Sequence, residues 1–434
     1  MIELRISSSD LQALRGSLLE HAHERCAVLL ASRGKSSTGR ELMLVRDAVL
    51  PMDDDYTMSG LDHAQLRPDF VARVTKRAGL QNLSLVFVHT HPGERAPEFS
   101  PIDDHGENEL AAFLVRRGHT YRHAAVVISR GGMSARVLGA NERLRVVSIG
   151  DKRVVEFDPD DSETADFAIY DRQIRAFGEE GQGILNSLRI AVVGLGGTGS
   201  IAVQQLAHLG IRKFILIDPD IVETTNLNRV VGAVAGDVGR AKCEIAARYL
   251  HKFSPGIELQ EIRGEVVYAS VASCLADADV IFCCTDSHGS RSVVQQVAYQ
   301  YFIPCIDVGS TITTSQGKVT GIFGRIQLVG PDQTCLWCSD LLSSEEVRRD
   351  MMNEFERKAD PYVQGVTVPA PSVISINGTV VSLAVTMLLG LVTSVPIQSR
   401  HLIYNASVTN LRSVRGQSRV DCFICSRSGD CGNS

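Results

Sequence analysis

Two C-x-x-C pairs, Cys335/Cys338 and Cys422/Cys425, put four thiolates at the disposal of one ion. Such a set suits a closed tetrahedral zinc, and the long gap from 338 to 422 fits two chain segments clipped together rather than a finger. Neither pair opens a thioredoxin-like helix, so a structural metal is the reading and two buried thiol pairs the alternative. A harder ligand set lies upstream. His89 and His91 stand two apart at the end of the apolar run VFVH, so on a strand both project to one side and can share an ion. Asp103 offers the carboxylate of an N2O set with one position left for water, Ser100 precedes it, and Glu24 is a candidate for taking the water's proton. On its own, H-x-H is equally an ordinary polar strand end.

The third cluster is built on glycine. Gly194-Leu195-Gly196-Gly197-Thr198-Gly199 follows the apolar run RIAVV and leads into a helical stretch. Its N–H groups and helix N-terminus can receive phosphate, and Asp218, ending the next apolar run, can accept from ribose hydroxyls. Alone, this fingerprint suits a dinucleotide cofactor and an oxidoreductase. Downstream come Asp220, Asn226-Leu227-Asn228-Arg229, Lys242 and Cys284-Thr285-Asp286. Two cations and a further acid have no use in hydride transfer; they suit phosphoryl or adenylyl transfer.

These residues need a scaffold of strands and helices. The chain has 434 residues, 44% of them hydrophobic and 22% charged, enough for two or three domains with substantial cores. With 44 basic against 50 acidic residues, the net charge of −6 argues against nucleic acid and anionic membranes as partners. The opening MIELRISSSD lacks the pattern of a secretory leader, which predicts a cytoplasmic, reducing setting for the 11 cysteines. The apolar stretch Val380 to Val395 is shorter than the ~20 residues a bilayer needs and is read as a buried helix at a subunit contact.

Residues 1–148 read as a mixed α/β domain: a strand IELRIS, a helix near Asp10 to His23, an apolar run Ala27 to Ala31, then strands AAVVIS and SARVLGA. Residues 149–166 turn acidic and read as a linker. From 167 to 434, apolar runs such as KFILID and DVIFCCTD alternate with helical stretches, which predicts a Rossmann-like, largely parallel sheet with helices on both faces.

Glu24-x-Cys26, His89-x-His91-Pro92 and Ser100-x-x-Asp103 together resemble the JAMM metalloproteases, which remove ubiquitin-like modifiers or process their C-termini. That resemblance implies His89, His91 and Asp103 as ligands of a catalytic zinc, Glu24 as general base and Ser100 as oxyanion support. The stretch between His91 and Ser100 is one residue longer than the family pattern, Ala27 replaces a common glycine, and Asp104 is an alternative ligand.

From Tyr170-Asp171-Arg172-Gln173-Ile174 onward, the ordered motifs resemble the ubiquitin-activating superfamily, in particular ThiF-type adenylyltransferases. This implies that Asp218 binds ribose, that Asn226, Arg229 and Lys242 hold ATP phosphates, that Asp286 coordinates Mg²⁺, and that Arg172 reaches the nucleotide of a second subunit in a homodimer. The substrate would be a small ubiquitin-like or sulfur-carrier protein ending in glycine, with a conjugating enzyme or a sulfurtransferase as onward partner. The resulting expectation is a bifunctional enzyme that adenylates that C-terminus and processes it with a zinc protease, in an antiviral conjugation system. Sulfur-carrier activation for cofactor or amino-acid biosynthesis is one alternative, and a partly inactive scaffold is another. Residues 339–421 contain no cysteine, which predicts activation without a thioester on the enzyme; Ser339, Ser343, Ser344 and Thr367 are the hydroxyls in that interval. Cys243, Cys274, Cys283, Cys284 and Cys305 are expected in the core, and Cys431 exposed.

Overall fold

A computed structural model describes residues 2–61, 63–160, 168–254, 256–352 and 370–433; Thr367 lies outside them. The chain divides into two units, Met1–Ser162 with Gln300–Phe302 and Asp430–Ser434, and Glu163–Tyr299 with Ile303–Gly429.

The first unit is built on a mixed eight-stranded sheet in the order β10-β9-β1-β3-β2-β6-β7-β8. Its central strands are β1 (Ile2–Ser7), β2 (Cys26–Lys35), β3 (Glu41–Val49), β6 (Ser84–Thr90) and β7 (Ala124–Ser129), flanked by β8 (Gly132–Val137), β9 (Arg145–Ile149) and β10 (Arg153–Phe157). Runs such as CAVLL and SLVFV are buried along consecutive residues, so both sheet faces are covered. One face carries α1 (Ser8–Leu19), and the other α2 (Pro68–Leu80) and α3 (Pro101–Arg116). A separate hairpin pairs β4 (Tyr56–Ser59) with β5 (Ala64–Leu66).

Two expectations change here. The first helix ends at Leu19 rather than His23, because its buried stripe Leu11, Leu14, Leu18 has no apolar continuation in the polar residues that follow. The acidic stretch from 149 is not linker throughout: β10 pairs antiparallel with β9, so the first sheet runs to Phe157. The end of that stretch, 161–166, lies outside the described residues.

The second unit holds the other eight-stranded sheet, β13-β12-β11-β14-β15-β16-β17-β18. Strands β11 (Arg189–Val193), β12 (Lys213–Ile217), β13 (Glu258–Ile262), β14 (Val280–Cys283) and β15 (Cys305–Ser315) are parallel, as expected from the buried apolar runs of β11, β12 and β14, with the more polar β13 at the sheet edge. The remaining strands, β16 (Lys318–Val329), β17 (His401–Asn405) and β18 (Asn410–Ser413), pair antiparallel, so one end of the sheet departs from the parallel expectation. Helices α4 (Asp171–Ser187), α5 (Gly197–His208), α6 (Lys242–Phe253), α7 (Ala269–Ala272), α8 (His288–Gln300) and α9 (Ser344–Met351) follow in chain order. The apolar stretch is α10 (Ile374–Val392), which begins earlier than its hydropathy suggests and packs on α5, β15 and β16. Its length and composition would permit a membrane crossing, yet Val380, Ala384, Leu388 and Leu391 are fully buried in this unit's core. Cys243, Cys283, Cys284 and Cys305 are buried as expected, whereas Cys274 and Cys431 are half-buried.

The strand that carries His89 is anchored at its start by His123, whose Nδ1 accepts the Leu85 N–H at 2.9 Å. Burial, then the charges of His119 and Arg33, push the His123 imidazole down to about 4. The unfolded chain therefore protonates this histidine first, near pH 6.5. Its contribution is complete above that pH and is lost as the pH falls toward 4, by about 3 kcal/mol in total. Urea unfolding at pH 7, 5.5 and 4.5 should show a smaller acid loss for His123→Asn than for wild type; parallel losses would contradict this coupling.

Candidate functional site

In the first unit the start of β2 pairs with the end of β6, Cys26 opposite His89, which brings Glu24 beside the histidine pair. Thr90 N–H donates to the Arg25 carbonyl, and Arg25 N–H to Thr90 Oγ1, locking the two strand ends together. His89 Nε2 and His91 Nε2 are 3.2 Å apart, and they stand 3.1 and 3.4 Å from the two carboxylate oxygens of Asp103. Zinc bonds of about 2.0–2.1 Å in a tetrahedron place ligand atoms roughly 3.3 Å apart, so these three residues fit the ion. Asp103 arrives there through a capping box: Ser100 Oγ accepts the Asp103 N–H at 3.2 Å, and Asp103 Oδ2 accepts the Ser100 N–H at 2.6 Å. Burial opposes ionisation of Asp103, but hydrogen bonds from His89 and His91 hold it well below the usual carboxylate range.

Glu24 is buried, with Oε1 3.9 Å from His91 Nε2. Its backbone is fastened to the β4–β5 hairpin, the N–H donating to the Gly60 carbonyl and the carbonyl accepting from Ser59 Oγ. Asp104, the alternative ligand, is instead paired with Arg136 at 2.7 Å and does not join the cluster. Burial, and then the nearby Glu24 and Asp103, push the Cys26 thiol up to about 12, so it is no nucleophile.

In the second unit the glycine loop sits between β11 and α5. Gly194 has φ +85°, and a Cβ there would press on the backbone of Cys284 and Thr285; a Cβ on Gly199 would strike the Gly194 carbonyl. The loop therefore touches the Asp286 segment backbone to backbone, which only glycine permits. Asp218, buried at the end of β12, accepts the Leu195 N–H at 2.6 Å and the Asp220 N–H at 2.8 Å. Each oxygen keeps a lone pair for a further donor. Burial raises its pKa more than Lys242, 4.0 Å away, lowers it. Lys242 Nζ contacts Asp220 at 2.7 Å. Asn226 caps its own turn through the Glu223 N–H, and the stem of Arg229 lies over Gly197. Asp286 is exposed, and so is Arg172 near the start of α4. The geometry brings Asp218, the Arg229 stem and the Cys284–Thr285 backbone to the glycine loop; Arg172 is not among them.

The four cysteines converge. Cys335 and Cys422 Sγ atoms are 3.6 Å apart and those of Cys338 and Cys425 3.8 Å, and all four lie within 4.8 Å of one another. Zinc–sulfur bonds of about 2.3 Å give tetrahedral edges of roughly 3.8 Å, so the set fits that ion.

Sequence reasoning missed the support behind Asp286. Arg291, in the first turn of α8, donates Nε to the Thr285 carbonyl at 3.1 Å and Nη1 to both oxygens of Asp307, at 3.1 and 2.8 Å. Arg325 reaches the same carboxylate at 2.5 Å. Burial works against ionisation of Asp307, but the charges of Arg291 and Arg325 outweigh it and keep its carboxyl low. The signal was present as an acid inside the apolar run FIPCIDVG, which needs a cation to be buried.

Residues 170–423 match the model of the ThiF family. The chain is similar to the SAMP-activating enzyme E1 of Haloferax volcanii, 32% identical over 37% of this chain and 56% of that protein. It is also similar to the molybdopterin-synthase adenylyltransferase of Salmonella typhimurium, 34% identical over 35% of this chain and 61% of that one, and to the sulfur carrier protein ThiS adenylyltransferase of Escherichia coli, 27% identical over 40% of this chain and 67% of that one. Among solved structures, Escherichia coli MccB with ATP aligns with a TM-score of 0.47 at 19% identity, over 60% of this chain and 74% of that one. The chain spans roughly half the length of the curated relatives it matches.

Arg291→Ala should destabilise the second unit by about 3 kcal/mol, because it strips one cation from a fully buried carboxylate. Arg291→Lys, which restores charge without the two-pronged contact, should recover part of it. A urea midpoint unchanged in the Ala variant would show that Arg325 alone compensates Asp307.

Proposed function

The chain belongs to the ThiF family, and from that premise we propose that it uses ATP to adenylate the C-terminal carboxylate of a small sulfur-carrier or ubiquitin-like protein. The observation that carries this reading is the meeting of the glycine loop with Asp218, the Arg229 stem and the Cys284–Asp286 segment at the carboxyl ends of β11, β12 and β14. Open parallel sheets bind nucleotides at that edge. In this reading Gly194, Gly196, Gly197 and Gly199 admit the phosphates to backbone N–H groups, Asp218 takes the ribose, and Asp220 holds Lys242 ready. Asn226, Arg229 and Lys242 balance phosphate charge, with Lys242 exchanging Asp220 for the ligand. Mg²⁺ held by Asp286 would neutralise charge on the leaving pyrophosphate. The carrier's terminal carboxylate oxygen bonds to the α-phosphorus, the bond from that phosphorus to the bridging oxygen breaks, and pyrophosphate departs with the electron pair.

Arg172 would serve the nucleotide of a second copy in a homodimer. The relatives named for sulfur carriers and molybdopterin synthase favour sulfur-carrier activation over protein conjugation as the fate of the adenylate. With no cysteine in residues 339–421, the activated carrier leaves without an enzyme thioester.

A second reading rests on a separate observation, the spacing of His89, His91 and Asp103 with Glu24 at their edge. We propose a hydrolytic site there, resembling the JAMM metalloproteases and acting on the carrier's C-terminal linkage. A zinc bound by the three ligands would supply an activated water. Glu24 takes that water's proton and returns it to the leaving amine, while Ser100, its hydroxyl proton still available, donates to the developing oxyanion.

ATP:pyrophosphate exchange with small proteins ending in glycine should be catalysed by wild type and fall at least about 100-fold in Asp286→Ala. Exchange persisting in that variant would remove Asp286 from the reading. For the second site, metal analysis should give two zincs per chain, one of them lost in His89→Ala. Glu24→Gln should keep both zincs and lose cleavage after the carrier's terminal glycine; cleavage at the wild-type rate would show that the proton is handled elsewhere.

A further inference from the structure

Asn377 is a buried amide, 1% exposed, in the first turns of α10, a helix otherwise built of apolar and small side chains. Burying an amide is unfavourable unless its polar atoms are matched, and an apolar residue would pack there at no such cost. Its orientation is fixed from both sides. Oδ1 accepts from Ser310 Oγ of β15 at 2.9 Å, and Nδ2 donates to Ser372 Oγ at 3.0 Å. The amide nitrogen carries two hydrogens, and the Ser372 contact uses one.

The nitrogen stands directly over Gly197, where a Cβ would collide with it, and the same point lies 3.3 Å from Cδ of Arg229. The amide therefore shares one spot with the first turn of α5, whose N–H groups present partial positive charge, and with the stem of a guanidinium. Glycine at 197 is required by this approach and not by backbone conformation, since its φ lies outside the left-handed region.

We propose that Asn377 is an oxyanion-binding residue of the nucleotide site, its second amide N–H donating to an oxygen of the reacting group. This rests on the adenylating reading above. The anionic oxygen belongs either to the α-phosphate of ATP or to the attacking carboxylate, and the two are separable by experiment. Ser310 and Ser372 are positioning residues that keep the nitrogen facing the glycine loop.

The test uses the full-length chain with Asn377→Leu, which keeps the volume and removes the donor, and Asn377→Asp, which keeps the shape and puts an acceptor there. ATP affinity is measured by equilibrium dialysis without carrier, and pyrophosphate exchange with the sulfur carrier ThiS as probe. Circular dichroism and zinc content report folding; should the Leu variant misfold, the Asp variant carries the comparison. An ATP affinity weakened about 10- to 100-fold places the contact on the phosphate; unchanged affinity with exchange kcat lowered as much places it on the carboxylate. Affinity and exchange kcat both within twofold of wild type overturn the proposal, as does affinity within twofold where wild type itself shows no exchange. A wild-type chain that binds ATP but exchanges with no glycine-ended carrier fails the adenylating reading instead, and the affinity comparison still decides for Asn377.

Discussion

The second unit depends on one steric fact: two loops at the ends of adjacent parallel strands touch through their backbones. Gly194 and Gly199 have no room for a Cβ against Cys284, Thr285 and each other. A methyl group at either position would wedge the glycine turn away from the segment bearing Asp286. Everything chemical in this unit is arranged around that contact. Asp218 draws the loop down by accepting the Leu195 N–H, Arg291 holds the facing segment by the Thr285 carbonyl, and Asp307 holds Arg291.

The first unit solves a similar positioning problem with fewer parts. Asp103 is at once a member of a helix capping box and the carboxylate facing two imidazoles. Its backbone-facing hydrogen bond sets the direction of the side chain, so the donor set owes its geometry to the start of α3 rather than to a dedicated support. Glu24 is placed by strand pairing on one side and by the β4–β5 hairpin on the other. Both units thus fix a carboxylate through backbone N–H groups, one on Asp103 and one on each oxygen of Asp218.

Much of this was legible in the chain because motif and element coincide. The two C-x-x-C pairs, the H-x-H at the end of an apolar run and the glycine loop between strand and helix each announce both residue type and location. What was not legible was long-range pairing between unlike elements. Nothing near Asp307 identifies Arg291 and Arg325 as its partners, and Asn377 is one amide in an apolar helix whose meaning appears only when α10 lies against Gly197. The antiparallel strands β16–β18 escaped for another reason: the first half of β16 is mixed in polarity and largely exposed, and β17 and β18 have only five and four residues, so no long apolar run announces them. Asp104 misled in the opposite sense. It neighbours Asp103 in sequence, but one residue along a helix turns the side chain by about 100°, toward Arg136.

The cysteine quartet joins residue 335 to residue 425 and so ties the ends of a segment that includes α10. A cross-link of this kind removes conformations from the open chain, and the gain grows slowly with the length enclosed. A metal held by these thiolates would thus steady, from a distance, the helix that leans on the glycine loop. Oxidation or chelation of the thiolates would loosen that clip and, through α10, the setting of the glycine loop. On the adenylating reading, use of ATP by the chain would in this way be coupled to the thiol redox balance and zinc supply of its surroundings.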